Sequence, residues 1–215
     1  MLAKIVLIVL MVVTSFNVIS FASPQIQDPV LHRATQFDGA IGIYAKNLNT
    51  GKIMTINDTT VFPTASSKLV VAIAVYKYLY SSASAELQNR YDEDIKLMMR
   101  VSDNASFYEL LRIIDKDNPT LLSRVISDLA LKNTQIHSKD AYTVHGYSSI
   151  TTPREMALIF EIIYRGDYLD TKATAKIKEW LANTVFHDEL PRYLPGVILH
   201  KIGQLDDVLC DVGVV

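Results

Sequence analysis

The hydrophobic pattern centres on the stretch Val61 to Tyr80, VFPTASSKLVVAIAVYKYLY, in which Lys77 is the only charged residue from Leu69 onward. Apolar side chains on every side of a helix require protein on every side, so this run predicts a buried central helix rather than an amphipathic surface one. Its polar entry, Ser66-Ser67-Lys68, puts hydroxyls and an amine at the positive end of the helix dipole, where free backbone N–H groups stabilise negative charge. A serine nucleophile suits that place, and so does a helix N-cap, the commoner use of serine there.

Elements on either side follow from the same kind of pattern. Asp28 and Pro29 lead into VLHRATQF, a short helix capped by Asp28. Alternation in Ile41, Ile43 and Ala45, a turn through Asn47, Asn49 and Gly51, and a second run Ile53 to Ile56 predict a β-hairpin. After the central helix, SSASAELQNRYDEDI reads as a polar connection. Phe107, Leu110, Leu111 and Ile114 then repeat at helical spacing until Asp117-Asn118-Pro119 breaks them, and Thr120 to Leu131 predicts another helix.

The stretch Lys132 to Ile150 has no clear period. Thr152 caps a helix with Pro153 in its first turn, a stripe of Met156, Ile159, Phe160 and Ile163, and a stop at Gly166. A further helix spans Thr171 to Asn183, with Ile177 and Trp180 inward; Pro191 and Pro195 mark a loop. The tail VILHKIGQLDDVLCDVGVV reads as two strands joined near Asp206 and Asp207. Strands first, helices in the middle and strands again at the end predict an α+β fold. Its antiparallel sheet comes from both chain termini and is flanked by helices. The α/β lobe takes residues about 28–66 and 184–215, and an all-helical lobe takes about 67–183.

The N-terminus adds an address. Lys4 precedes an apolar core from Ile5 to Val13, and the small residues Ser20 and Ala22 precede Ser23, so residues 1–22 read as a signal peptide with cleavage after Ala22. An uncleaved membrane anchor is the alternative, although Thr14, Ser15 and Asn17 interrupt the run. Either way the domain is expected to be exported, secreted or held in the cell envelope. Cys210 is the only cysteine, so the core must hold without an internal disulfide.

Composition narrows the function classes. With 215 residues and 49% hydrophobic content the chain is globular, and a net charge of −2 without a basic cluster excludes nucleic acid and anionic membrane as expected partners. A small-molecule ligand, no partner protein and a monomer are the expectation. The histidines His32, His137, His145, His187 and His200 lack metal-ligand spacing, so neither a metal nor a cofactor is expected.

Three local patterns stand in order: Phe62-Pro-Thr-Ala-Ser66-Ser-Lys68, then Ser102-Asp-Asn104, then His200-Lys-Ile-Gly203. With the Thr151-Thr-Pro helix start between the last two, they resemble the class A β-lactamases, whose signature is S-x-x-K, S-D-N and K-T-G. The resemblance covers about residues 28–215 and implies a β-lactamase/transpeptidase-like fold with an acyl-transfer site between its lobes. Ser66 would attack the carbonyl of a β-lactam or of an acyl-D-alanyl-D-alanine peptide, and Lys68 would help take its proton. Ser102 would relay a proton to the departing nitrogen, Asn104 would hold the substrate side-chain amide, and Lys201 would attract its carboxylate. Ile202, Gly203 and Gln204 would line the substrate strand, with an oxyanion hole from the backbone near Gln204 and the Ser66 N–H.

The chain also departs from that pattern. Ser66 and Lys68 are two residues apart, about 200° around a helix, whereas the signature spacing of three shares a face; counted back from Lys68, the nucleophile's place is Ala65. Ile202 stands where the signature has threonine. Between Lys132 and Ile150 there is no Glu-x-x-Leu-Asn, the element that activates the deacylating water, and Asp140 is the only carboxylate there. The family's strand between the first hairpin and the tail strands has no counterpart in this reading, which predicts an open place inside the sheet and a degenerate, truncated member. The functional expectation is an exported serine hydrolase opening β-lactam rings. The alternatives are a penicillin-binding D,D-peptidase or transpeptidase, and a catalytically inactive ligand-binding relative.

Overall fold

The computed structural model describes residues 4–11, 29–64 and 66–215. The expected hairpin is present: β2 (Gly39–Lys46) pairs antiparallel with β3 (Ile53–Ile56), Ile43 opposite Ile56 and Lys46 opposite Ile53. The tail forms β6 (Leu199–Gln204) and β7 (Val208–Val214), also antiparallel, with Lys201 opposite Val212. Between these two hairpins lies β1 (Lys4–Met11), giving the strand order β3-β2-β1-β7-β6.

Strand β1 runs parallel to both neighbours, so the sheet is mixed rather than purely antiparallel. The place expected to stand open is filled, and the segment filling it lies within the stretch that reads as a signal peptide. The rest of that stretch, including the cleavage position after Ala22 and the Asp28 cap, lies outside the described residues. The helix it would cap is α1 (Pro29–Thr35).

The buried run folds as expected, although it is helical only from Lys68. Helix α2 (Lys68–Ala74) continues into a π turn (Val75–Leu79) and a 3₁₀ turn (Tyr80–Ser82), and each residue from Leu69 to Val75 has no exposed surface. It packs against three helices: α3 (Ala85–Val101), α4 (Asn104–Asp117) and α5 (Leu121–Asp128). At its far end Tyr76 and Tyr80 donate to Asp92, and Tyr78 donates to Asp128, so the tyrosines bind helix to helix.

Upstream of α2, Phe62 and Pro63 form the two-residue strand β4 (Phe62–Pro63), pairing with β5 (Ile150–Thr151). The Thr64 N–H donates to Ser149 O at 3.0 Å, extending the same tie. These contacts fix the entry to α2 beside the segment that carries Ser148 and Ser149.

Helix α3 corrects the reading of residues 81–95 as a connection. Ser84 caps it by accepting from Leu87 N, and Tyr91, Ile95, Met98 and Met99 are buried on one face. The aperiodic stretch 132–150 also holds a short helix, α6 (Lys139–His145). Helices α7 (Pro153–Arg165) and α8 (Thr171–Ala182) match the expectation, with Thr152 and Asp170 as caps, and α9 (Leu190–Tyr193) is one turn inside the proline-marked loop. Helix α7 covers the sheet over β1, β2 and β7, where Glu161 accepts from Lys46 on β2 at 2.7 Å and from Arg165 at 3.0 Å.

Candidate functional site

A cleft of about 390 Å³ opens between the start of α2, the α3–α4 junction, the segment 147–149 and the end of β6. The α3–α4 junction is built for a fixed turn. Ser102 ends α3 in the left-handed conformation, φ 56° and ψ 35°, and Asp103 caps α4 by accepting from Ser106 N at 2.7 Å. A non-glycine residue held at positive φ reports a conformation that its surroundings enforce. Here it turns the hydroxyl of Ser102 into the cleft.

Two amines converge on that hydroxyl. Lys68 Nζ donates to Ser102 Oγ at 3.1 Å, to Asn104 Oδ1 at 2.7 Å and to the Ser102 carbonyl. Lys201 Nζ donates to Ser102 Oγ at 2.9 Å and to Ile202 O at 2.5 Å. Burial lowers the Lys68 amine to about 8, with Asp103 opposing the shift. Lys201 has no exposed surface, and burial, with the charge of Lys68 added, lowers it likewise to about 8. Four of the expected site residues, Lys68, Ser102, Asn104 and Lys201, are therefore brought together.

Ile202 and Gln204 line the β6 wall of the cleft, whereas Gly203 between them is not among its lining residues. Alternation along a strand makes that unavoidable, since successive residues point to opposite faces.

Ser66 is not with this group, which corrects its expected place opposite Lys68. Its hydroxyl is completely buried, donating to Lys201 O at 3.2 Å and lying 3.3 Å from Cys210 Sγ. Its N–H donates to Thr64 Oγ1 at 3.1 Å, so that donor is not free for an oxyanion. Ser66 lies in the turn ahead of α2, and its hydroxyl is spent on joining that entry to β6 and β7. Ser67, one residue on, does line the cleft.

No Asp or Glu is among the described residues that line the cleft. Asp140 is exposed in the first turn of α6 and is not one of the lining residues. The buried Glu155 on α7 is committed elsewhere: it accepts from Lys132 N at 2.8 Å, Asn133 N at 3.0 Å and Thr134 Oγ1 at 2.7 Å, anchoring the start of the 132–150 segment.

The sequence reading missed the aromatic part of the cleft. Phe107 and Tyr108 from α4, Tyr147, and Phe186 line it. Helical spacing marked Phe107 as apolar but gave no signal that it faces a cavity. Phe186 is positioned from behind, because buried His200 faces Phe186 O at 3.1 Å through Nε2 and Asp211 at 2.9 Å through Nδ1, while Leu190 N donates to Asp211. Among the described residues no three His, Cys, Asp or Glu side chains cluster as a metal site would. No described helix is long and apolar enough to cross a membrane.

Comparison with known proteins adds the following. A family model described as "Beta-lactamase enzyme family" matches residues 23–94 and 83–215. No curated protein matches the chain. Among solved structures, an ancestral class A β-lactamase superposes with a TM-score of 0.72 at 17% identity, covering 88% of this chain and 84% of that one. A β-lactamase from Chitinophaga pinensis gives 0.70 at 19% identity, covering 84% and 78%. A mutant of PBP-A, solved as an acyl-enzyme with penicillin G, gives 0.66 at 21% identity, covering 80% and 74%. At these identities the superpositions establish the fold.

Proposed function

The chain belongs to the β-lactamase enzyme family, and from that premise we propose that it is an exported protein whose cleft binds β-lactams and acyl-D-alanyl-D-alanine peptides without turning them over. Family and fold are those of the β-lactamase-like serine hydrolases. The observation that carries the reading is the contrast within the site. The groups we read as ligand-holding converge, while the Ser66 hydroxyl is sealed under β6 and β7 and no Asp or Glu among the described residues lines the cleft to activate water.

Each retained group has a use in binding. Lys68 offers its amine to the ligand carboxylate from the cleft wall, and Lys201, buried behind Ser102, adds to the positive potential there from inside the fold. Asn104 offers its side-chain amide to the ligand's amide side chain, and Phe107, Tyr108 and Phe186 offer apolar area to an acyl substituent. Export, which would bring the cleft to where such ligands occur, is read from the N-terminal pattern alone, and cleavage there would take β1 out of the sheet.

The test combines binding with turnover. The purified protein is titrated with penicillin G by calorimetry and assayed with a chromogenic cephalosporin. Saturable binding with no sustained turnover is expected. Multiple turnovers abolished by Ser66→Ala would overturn the reading in favour of hydrolysis through Ser66, and no binding would overturn it altogether.

A further inference from the structure

Several hydroxyls line the cleft, and their engagements differ. Thr64 Oγ1 accepts from Ser66 N, Ser149 Oγ accepts from His137 N, and Tyr147 donates to Asp207 at 2.7 Å. The hydroxyl of Ser102 is held by two lysine amines, at 3.1 and 2.9 Å, on a residue fixed at positive φ and partly open to the cleft. A serine hydroxyl in contact with an amine that can accept its proton is the arrangement that activates a nucleophile.

We propose that Ser102 itself is the acyl acceptor of this cleft, attacking the carbonyl of a bound β-lactam with one of its two lysines as base. The inference rests on the binding reading above and adds a covalent step to it. Ser102 Oγ forms the new bond to the carbonyl carbon as the lactam C–N bond breaks. The hydroxyl proton passes to a neutral lysine Nζ and from there to the departing nitrogen. The products are a Ser102 ester and a free N–H, so no oxidant or further reactant is needed.

Two lysines suit the step better than one. A neutral amine takes the proton, and the other, still an ammonium, faces the oxygen on which negative charge develops. Both amines lie near 8, where a change in pH switches one between these roles. With no carboxylate among the described lining residues to activate water, the ester persists. The protein would then be labelled once per molecule rather than turning over.

The experiment is intact-mass spectrometry of the full chain incubated with penicillin G from pH 6.5 to 9.5, followed by peptide mapping, with calorimetric titration in parallel. An adduct equal to the mass of penicillin G, mapped to Ser102 and formed fastest near pH 8, where one amine is neutral and the other charged, with slower labelling toward both pH 6.5 and pH 9.5, is expected. Ser102→Ala should abolish it and Ser66→Ala should not. An adduct on Ser66 or Ser67 overturns the assignment. Binding without any adduct also overturns it while leaving the binding reading in place, and neither binding nor adduct removes both. Mapping on the wild-type protein decides the matter even if Ser102→Ala fails to fold.

Discussion

The Ser66 hydroxyl and the Lys68 amine, two residues apart in the chain, face different surroundings: the first donates to Lys201 O inside the fold, and the second donates to Ser102 and Asn104 in the cleft. The lysine keeps its contacts with the second motif, whereas the serine two residues before it is directed into the fold. Counted along the sequence, the signature's serine position, three residues before Lys68, belongs to Ala65.

Restoring a hydroxyl there should therefore restore fast acylation. Ala65→Ser is expected to give a penicillin G adduct at position 65, formed at least about tenfold faster than any adduct of the wild type, equivalent to about 1.4 kcal/mol of barrier. Stopped-flow burst kinetics and peptide mapping check it. Sustained turnover should still be absent, since no carboxylate among the described cleft residues is available for deacylation. A variant no faster than wild type would show that the entry to α2 cannot present a nucleophile at all.

Ile202 lines the cleft next to Lys201, and its side chain brings methyl groups where the family signature has a hydroxyl. Ile202→Thr should strengthen binding of a ligand carboxylate by about 1 kcal/mol, the net value of one added hydrogen bond, or about fivefold in Kd. Calorimetry with penicillin G measures it. Unchanged affinity would mean that the carboxylate does not sit at this wall.

Much of this site was legible in the sequence, for a physical reason. Lys68, Ser102 and Asn104 lie at helix ends and Lys201 lies within β6, each in a short run of consecutive residues that resembles one of the class A signature motifs. The burial of Ser66 was foreshadowed by its spacing from Lys68, but its contacts with Lys201 O and Cys210 come from strands more than a hundred residues away. Helix α3 was hidden because Asp92, Glu93, Asp94 and Lys96 crowd one segment and mask the stripe of Tyr91, Ile95 and Met98. The stripe and the Ser84 cap were both present to be read. The β1 position was not legible, because an apolar leader and a buried strand share one composition.

That position makes a prediction of its own. Ile8 on β1 lies opposite Ile43 of β2 on one side and Asp211 of β7 on the other. A proline there removes a ladder donor in the middle of the sheet, and Ile8→Pro in the full chain should cost about 1–3 kcal/mol, the cost of leaving the facing acceptor unpaired. Urea unfolding of the full-length protein checks it. An unchanged midpoint would mean that another segment takes the central place.

Glu155 accepts from two backbone N–H groups and the Thr134 hydroxyl while buried to 8% exposure. Glu155→Gln replaces one acceptor oxygen by a donor facing donors, and a loss of about 2–3 kcal/mol is expected, the worth of hydrogen bonds to a charged group. The urea midpoint should fall with the slope unchanged. Because this carboxylate anchors the segment leading to Tyr147, Ser148 and Ser149, ligand affinity should fall with it.

The two lysines predict an unusual alkaline profile. In the folded protein Lys68 and Lys201 are lowered to about 8, chiefly by burial, from the 10.5 of an unperturbed lysine. Between those values the unfolded chain holds protons that the folded one has released, so stability rises with pH over that window. Below about pH 8 both states are protonated and the contribution is flat, with the cost of two buried charges at its greatest. Tyr76, held above its ordinary value by burial and by Asp92, acts in the opposite sense and takes effect only above about pH 10. The clean window is therefore pH 8 to 10. Unfolding free energy from urea titrations should rise across it, and the rise should shrink in Lys68→Met and again in Lys68→Met combined with Lys201→Met. A slope equal in wild type and double variant would show that the amines meeting at Ser102 are not held near 8, and would remove the lysine base from the acylation step.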